Sequence, residues 1–589
     1  MSKGPGIQRG VLLLLALLFG LSFGLNYGYS NQTTYLLGAV KALHPSSWTR
    51  DWLVTQTHFY HPAYAWLSTG LLRLSPSGLL IACTNAVLIA GGMLALFLVL
   101  KRLARERAFP AFCLLLVLAS VTRTLAPGGT YAFSEIFQPS TLGSLGVLLA
   151  AAAFVADRPL ASGLCLAFGG AFHVNYLLLG LCVFGVAWLL TGRERLIVRA
   201  LLGLGPAALV LLFFLPFLLA NARPAVSAEA LRIYQDVRSP HHYRVPRFAW
   251  DFATSAGFQL LGAAVLIGPA RSGMRVQRRL LSLLFGCWLL VIPAALLSSV
   301  IVVRSITQLL AWRICAEADL LAQTALCAAL VSVYCDGRAA LRGYDRRAWA
   351  LAASGLVALL LGSLAGGNWN TSLLVLVLCV VAALISAGWL GRLTSKAQTG
   401  LPLTSLSLAL VLTFVGVNIV RFSQLARHSN VLSGGDPAVT ELCAWAQAYT
   451  PENALFLTPP LEEDLRFQCR RAIVVDWKSP PALPSEVLEW FDRIENVSGR
   501  HPVLGDADLT GYEQLDAPRV AKLRARYGVD YVVVERGHEL DLGVSPLFSG
   551  QRFVAYGLGI ERASAPCTHS IDTGSPPQHS PLRCAGSPE

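Results

Sequence analysis

The sequence predicts a mainly α-helical, polytopic transmembrane bundle followed by a small soluble α/β domain. Three observations predict it. Of the 589 residues, 54% are hydrophobic and 14% charged, against about 25% charged in ordinary soluble domains. The apolar residues sit in long blocks such as Val11–Phe19, Leu79–Leu100 and Leu351–Leu361, and a bilayer needs about 20 apolar residues per helical crossing. After residue 431 the pattern turns to short β-branched runs alternating with helical segments, as in a mixed α/β layer.

The net charge of +13 does not indicate a nucleic-acid partner, because no soluble basic domain carries it. The basic residues form short clusters between apolar blocks, at Lys101–Arg107, Arg193–Arg199, Arg271–Arg279, Arg338–Arg347 and Arg392–Lys396. Loops on the cytoplasmic side are expected to be basic. Lys3 and Arg9 precede the first apolar run, so the N-terminus is expected in the cytoplasm and the first helix is read as retained. All clusters share that side if spans lie near 10–25, 78–100, 111–126, 140–156, 160–172, 174–191, 197–220, 251–268, 279–301, 305–334, 347–365, 371–390 and 401–421. The estimate is roughly 11 to 13 spans. Pro62–Leu74 is apolar but short and reads as a re-entrant or interfacial helix. The expected division is a membrane domain over 1–431, a periplasmic α/β domain over 432–562 and a disordered Ser/Pro/Gly-rich tail over 563–589. The location expected is the inner membrane, multi-pass, with the C-terminal domain outside.

This topology exposes loops 26–61, 126–140 and 221–250 on the outer face, and they hold the candidate functional residues. The first loop carries Asn31 and Asp51, the only acid in the first 105 positions. An isolated carboxylate in a basic loop suits a catalytic base or metal ligand; it equally suits a partner for Arg50 or a helix cap. The second loop offers Glu135, and the turn FHVNY offers His173. The third, YQDVRSPHHYRVPRF, packs Arg238, His241 and His242 together, with arginines suited to a phosphate. Beyond Val303, Arg304, Arg313, Glu317 and Asp319 fall within an apolar stretch. Charges there usually face a protein interior or a wet cavity. Arg313 and Glu317, at i and i+4, are spaced to pair.

In the C-terminal domain, strands are expected at Leu455–Leu457, Arg471–Trp477, Tyr531–Glu535 and Phe553–Gly557, with helices at Val439–Ala448 and Arg519–Tyr527. Nine of the 13 cysteines lie in or beside apolar spans. Cys443, Cys469, Cys567 and Cys584 fall in the outer part, where an oxidising compartment permits three pairings. Cys443–Cys469 is the first choice because both lie in the folded part.

Four patches resemble the GT-C superfamily of membrane glycosyltransferases, and most closely a bacterial group of GT-C-like membrane proteins. They are the first loop with Asn31, RDWL and YHP; FQPSTL followed by FHVNY; SPHHY; and TPENALFLTPP with RRAIVVDWK. The resemblance implies a GT-C-like fold, the lipid bilayer and a polyprenyl-phosphate sugar donor as partners, and transfer at the outer face. By it, Asp51 takes the place of the first-loop catalytic or metal-binding acid. Paired acids are common there and this chain has one, so a divalent metal cofactor stays open. The competing readings are a transporter or lipid-binding protein, and a GT-C-like scaffold without catalysis. Against the transporter stands the absence of repeated halves.

Overall fold

The computed structural model describes the chain except for residues 1–4, 59–60, 123–125, 192–194, 221–223, 268–273, 302, 337–343, 345, 367–402, 503–508 and 560–589. The expected span at 371–390 and the expected tail lie outside the described residues. The chain divides into two compact units, one of residues 1–27 and 61–433, the other of residues 28–60 and 434–589. Loop residues 28–60, expected as an outer loop of the membrane domain, fall in the second unit.

The first unit is a helical bundle. Among the described residues, eight helices are long and apolar enough to cross a membrane, which makes this a multi-pass membrane protein. Gln8–Leu21, Pro139–Val155 and Pro159–Phe172 are shorter apolar helices, and Pro62–Leu74 is a helix of 13 residues. The helices follow the apolar blocks closely because length and hydropathy alone specify such segments. Burial separates their roles. In the segment Ile306–Asp336, 83% of the apolar window is buried inside the protein, against 11% in Leu196–Pro216. Ile306–Asp336 is therefore a central element, and its polar residues face protein.

Small residues set the spacing of the helices. A Cβ on Gly146 would stand 2.5 Å from the Cα of Gly169, and one on Gly257 would stand 2.8 Å from the carbonyl oxygen of Gly355. These glycines let Pro139–Val155 meet Pro159–Phe172, and Ala249–Ile267 meet Arg346–Ala365, backbone against backbone, as membrane helices do. The predicted span at 305–334 is broken. Helix Arg304–Leu309 ends at Leu310, which adopts a left-handed φ of 47°. A 3-10 turn, Ala311–Ile314, follows, and then helix Cys315–Asp336.

The second unit is an α/β layer. Its sheet is ordered β2-β1-β3-β5-β4, with β1 Leu455–Leu457, β2 Ala472–Ile473, β3 Tyr531–Glu535, β4 Phe548–Ser549 and β5 Phe553–Gly557. β1 pairs in parallel with β2 and β3, while β5 runs antiparallel to β3 and β4. Three strands match the sequence reading. β2 is shorter than expected because the chain turns at Asp476, whose carboxylate accepts the Ser479 amide at 2.7 Å. β4 and helix Pro484–Ser498 were not anticipated. Helix Pro437–Tyr449 is joined to helix Asp464–Cys469 by the Cys443–Cys469 disulfide.

Candidate functional site

Asp51 lies at the centre of an ion-pair network within the second unit. It is the N-cap of helix Trp52–Gln56, and its Oδ1 accepts the Val54 amide at 3.2 Å. Oδ2 accepts from Arg466 Nε at 2.9 Å and from the Ile473 amide at 3.0 Å. Arg466 also pairs with Asp476 through Nη1. Asp51 is 0% exposed, Arg466 2% and Asp476 1%. The Trp48 indole donates to the Arg466 carbonyl and the Trp490 indole to that of Asp476, closing the network. Both carboxylate oxygens of Asp51 are occupied, an arrangement that favours a structural role over the catalytic one expected from the sequence. The capping alternative holds; the expected partner does not, because Arg50 pairs with Asp530. Asn31, also in this unit, precedes helix Gln32–Tyr35 without capping it through its side chain.

The bundle builds a different constellation from residues far apart in sequence. The turn at His173 separates helices Pro159–Phe172 and Val174–Thr191, as expected. Asn175 Nδ2 donates to the Leu309 carbonyl, tying this turn to the break at Leu310. A left-handed non-glycine residue costs on the order of 1 kcal/mol or more and persists where its surroundings enforce it. The break sets Arg313 beside the turn, and its Nη1 donates to His173 Nε2 at 3.3 Å. The His61 ring lies 5.0 Å from that of His173. His173 in turn meets Tyr176 at 5.1 Å, and Tyr176 shares Ser144 Oγ, at 3.2 Å, with the Glu317 carboxylate.

The predicted Arg313–Glu317 pair does not form. Arg313 lies in the 3-10 turn before the helix starts, so the i, i+4 geometry of a continuous helix is lost. Glu317 turns to Ser144, and among the described residues Arg313 has no carboxylate at ion-pair distance. Asp319, two residues on and facing another way, accepts from Ser255 and Gln259, each at 2.7 Å. Three buried atoms of the constellation, His173 Nδ1, Asn175 Oδ1 and Glu317 Oε2, have no hydrogen-bond partner among the described residues. Such unpaired groups are uncommon in folded proteins, and each has room for a partner from outside the chain, such as a water, an ion or a ligand.

His242 borders the same region. Its Nδ1 is 2.5 Å from the Gly128 carbonyl oxygen, and the Trp312 indole donates to the His242 carbonyl at 3.0 Å. Gly128, at φ +73°, is required here twice over: a Cβ would strike the Trp312 ring at 2.4 Å. The His241 ring lies tilted against that of His242, with ring centres 4.1 Å apart. Burial pushes His61 down to about 3, with the nearby Arg313 cation adding to the effect. Burial likewise pushes His242 down to about 3, aided by His241, Arg313 and Arg238. Both imidazoles are neutral at physiological pH, with the Arg313 cation beside them.

Of the predicted residues, His173, His241, His242 and Arg313 thus fall in one region of the bundle. Arg238 is half-buried beside Ser239 and close enough to act on His242. Glu135 is not part of it: its side chain is exposed, and its carbonyl accepts from Asn26. Arg304 opens helix Arg304–Leu309, and its side chain lies outside the described residues. His61, which the sequence reading gave no role, and Glu317, which it gave only as a partner for Arg313, also belong to the constellation. Their signals were a histidine just before a proline-led helix and an acid in an apolar span. No group of three or more His, Cys, Asp or Glu side chains stands in a metal-binding arrangement among the described residues.

Fold and site together define a multi-pass membrane protein with a polar, histidine-rich site at one end of its bundle. Residues 437–497 match a domain of unknown function, DUF6798. No curated protein matches the chain. Among solved structures the chain is similar to ArnT from Cupriavidus metallidurans bound to undecaprenyl phosphate, with 14% identity and a TM-score of 0.47 over 93% of this chain and 97% of that one. The apo state of ArnT gives the same identity and TM-score. The chain is also similar to the arabinofuranosyltransferase AftD from Mycobacteria, with 16% identity and a TM-score of 0.42 over 91% of this chain and 35% of that one.

Proposed function

We propose that this protein is an inverting membrane glycosyltransferase that takes its sugar from a polyprenyl-phosphate donor at the outer face of the membrane. The observation that carries the reading is Arg313, a half-buried guanidinium with no carboxylate partner among the described residues, set beside neutral histidines and next to a buried acid. A guanidinium suits a phosphate, and its charge counts for more where water is scarce. The donor class comes from the sequence resemblance described above.

In this mechanism an acceptor hydroxyl attacks the anomeric carbon of the donor sugar. The bond from that carbon to the phosphate oxygen breaks, and the oxygen leaves with the electron pair. Arg313 stabilises the charge gathering on the departing phosphate. The acceptor proton passes to the unpartnered Oε2 of Glu317, the one carboxylate in the constellation. His173 and Asn175 orient the arginine through direct contact and through the Leu309 carbonyl.

The outer face is supported by the distribution of charge along the helices. Lys101 and Arg102 lie at the end of helix Leu79–Leu103, and Arg107 pairs with Asp336 at the end of Cys315–Asp336. Arg199 and Arg279 pair with Asp157. Helix Pro159–Phe172 begins beside Arg158 and ends at His173. The basic clusters and the polar site thus mark opposite ends of the same helices, and the basic end is the cytoplasmic one by the positive-inside rule.

The test is transfer by the purified full chain from a panel of polyprenyl-phosphate sugars, with Arg313→Gln and Glu317→Gln as variants. Loss of one preorganised charge contact typically costs about 100- to 1000-fold in turnover, and that is the expected result for Arg313→Gln. Turnover equal to wild type in both variants would overturn the assignment. The occupied carboxylate of Asp51 favours one second reading, a scaffold that binds the lipid phosphate without transferring sugar. That reading requires donor binding lost in Arg313→Gln and no turnover in any form.

A further inference from the structure

The other end of the bundle holds a second feature. A groove of about 540 Å³ opens between helices Leu79–Leu103, Pro139–Val155 and Pro159–Phe172. Its walls are apolar, including Leu98, Leu149 and Ala153, and its mouth carries Lys101, Arg102 and Arg158. All three cations are exposed, and none forms an ion pair among the described residues. Their neighbours behave differently: Arg107, Arg199 and Arg279 each pair with an aspartate. The groove is separate from the histidine site. Ser144 and Ala153 lie on one helix, nine residues or about 14 Å apart.

We infer that this groove binds an anionic phospholipid of the cytoplasmic leaflet, its chain along the apolar walls and its head-group phosphate among Lys101, Arg102 and Arg158. The volume lies in the roughly 300–1,000 Å³ range of small-molecule sites. The charge complementarity selects the head group: basic pockets between membrane helices on the cytoplasmic side suit acidic lipids. A zwitterionic lipid offers the same chains, but its own cation would face three others. The inference does not depend on the catalytic reading, because it uses none of the residues of that site.

The experiment is native mass spectrometry of the detergent-purified full chain, titrated with phosphatidylglycerol or phosphatidylcholine of identical chains. Wild type is expected to retain one phosphatidylglycerol in preference to phosphatidylcholine. Each basic side chain near an anionic surface contributes on the order of a fivefold factor, so the variant K101Q/R102Q/R158Q should lose that preference at least about tenfold. Ala153→Phe, which fills the groove and leaves the charges in place, should displace the lipid as well. A variant with Arg73→Gln, whose charge lies away from the groove, controls for net charge and for handling. The inference is overturned if the triple variant keeps the wild-type preference, if Arg73→Gln loses it equally, or if wild type shows none.

Discussion

Replacing Asp51 separates a structural carboxylate from a catalytic one. In Asp51→Ala the cap on Val54 is lost, a cost of about 1 kcal/mol. The Ile473 amide, buried at the edge of the sheet, is left without its acceptor, at about 1–3 kcal/mol. Arg466 keeps Asp476, so the 3–5 kcal/mol typical of stripping a buried charge of its partner is not incurred in full. The sum is about 3 kcal/mol. For a unit of this size that lowers the unfolding midpoint by roughly 6–12 °C. Asp51→Asn retains one acceptor and the cap and should lose about half as much. Hydrogen exchange of the full chain in detergent is the assay, read on peptides covering 52–57 and 472–479. Both should exchange faster in Asp51→Ala, while transfer per folded molecule stays at the wild-type level. Asp51→Asn with normal exchange, a normal midpoint and abolished turnover would refute the structural assignment and restore the carboxylate to the chemistry.

Other consequences can be measured alongside. Asp464, desolvated by burial and crowded by Glu463, Glu462 and Asp436, is pushed up to about 6 from 3.8. The folded state holds that proton more tightly, so this residue's contribution to stability falls as pH rises from 3.8 through 6. Asp464→Asn should therefore raise the melting midpoint of the second unit at pH 7.5 and leave it nearly unchanged at pH 4. His61 and His242, held down to about 3, act in the opposite sense. The unfolded chain binds their protons more readily below 6.5, so their contribution is complete above that pH and is lost as pH falls toward 3. The bundle's melting midpoint should be flat above pH 7 and fall below 6.5, with a shallower fall in His61→Asn. Gly146→Leu, which drives a side chain into Gly169, should cost about 1–3 kcal/mol or more of bundle stability, read as a lower midpoint with the second unit unaffected.

How much of this was legible in the sequence depends on the range of the interaction. The apolar blocks gave the helices to within a few residues because each satisfies its own backbone locally. The turn at His173 was legible for the same reason, as were β1, β3 and β5 from their β-branched runs. β4 was not, since two residues carry no period. The break at Leu310 left no local mark, because neither glycine nor proline interrupts that stretch and the conformation is imposed by Asn175 and its neighbours. The site was half legible. Histidines in short polar segments drew attention to His173, His241 and His242, and a charge inside an apolar stretch drew it to Arg313. Asp51 stood out for its isolation, but its partner is 415 residues away, and no local pattern distinguishes a carboxylate waiting for substrate from one waiting for an arginine.

That separation has a consequence for biosynthesis. The second unit is assembled from residues 28–60 and from residues beyond 433. At roughly 5–20 residues per second, Arg466 follows Asp51 off the ribosome after about 20–80 s. Throughout that interval the first loop has neither its counter-ion nor the strand whose amide it accepts, so it stays unfolded and vulnerable to proteases while the bundle is inserted. The last quarter of the chain therefore acts as a completion signal. A molecule truncated anywhere before Arg466 carries an early loop that never closes, and quality control has an exposed segment by which to recognise it.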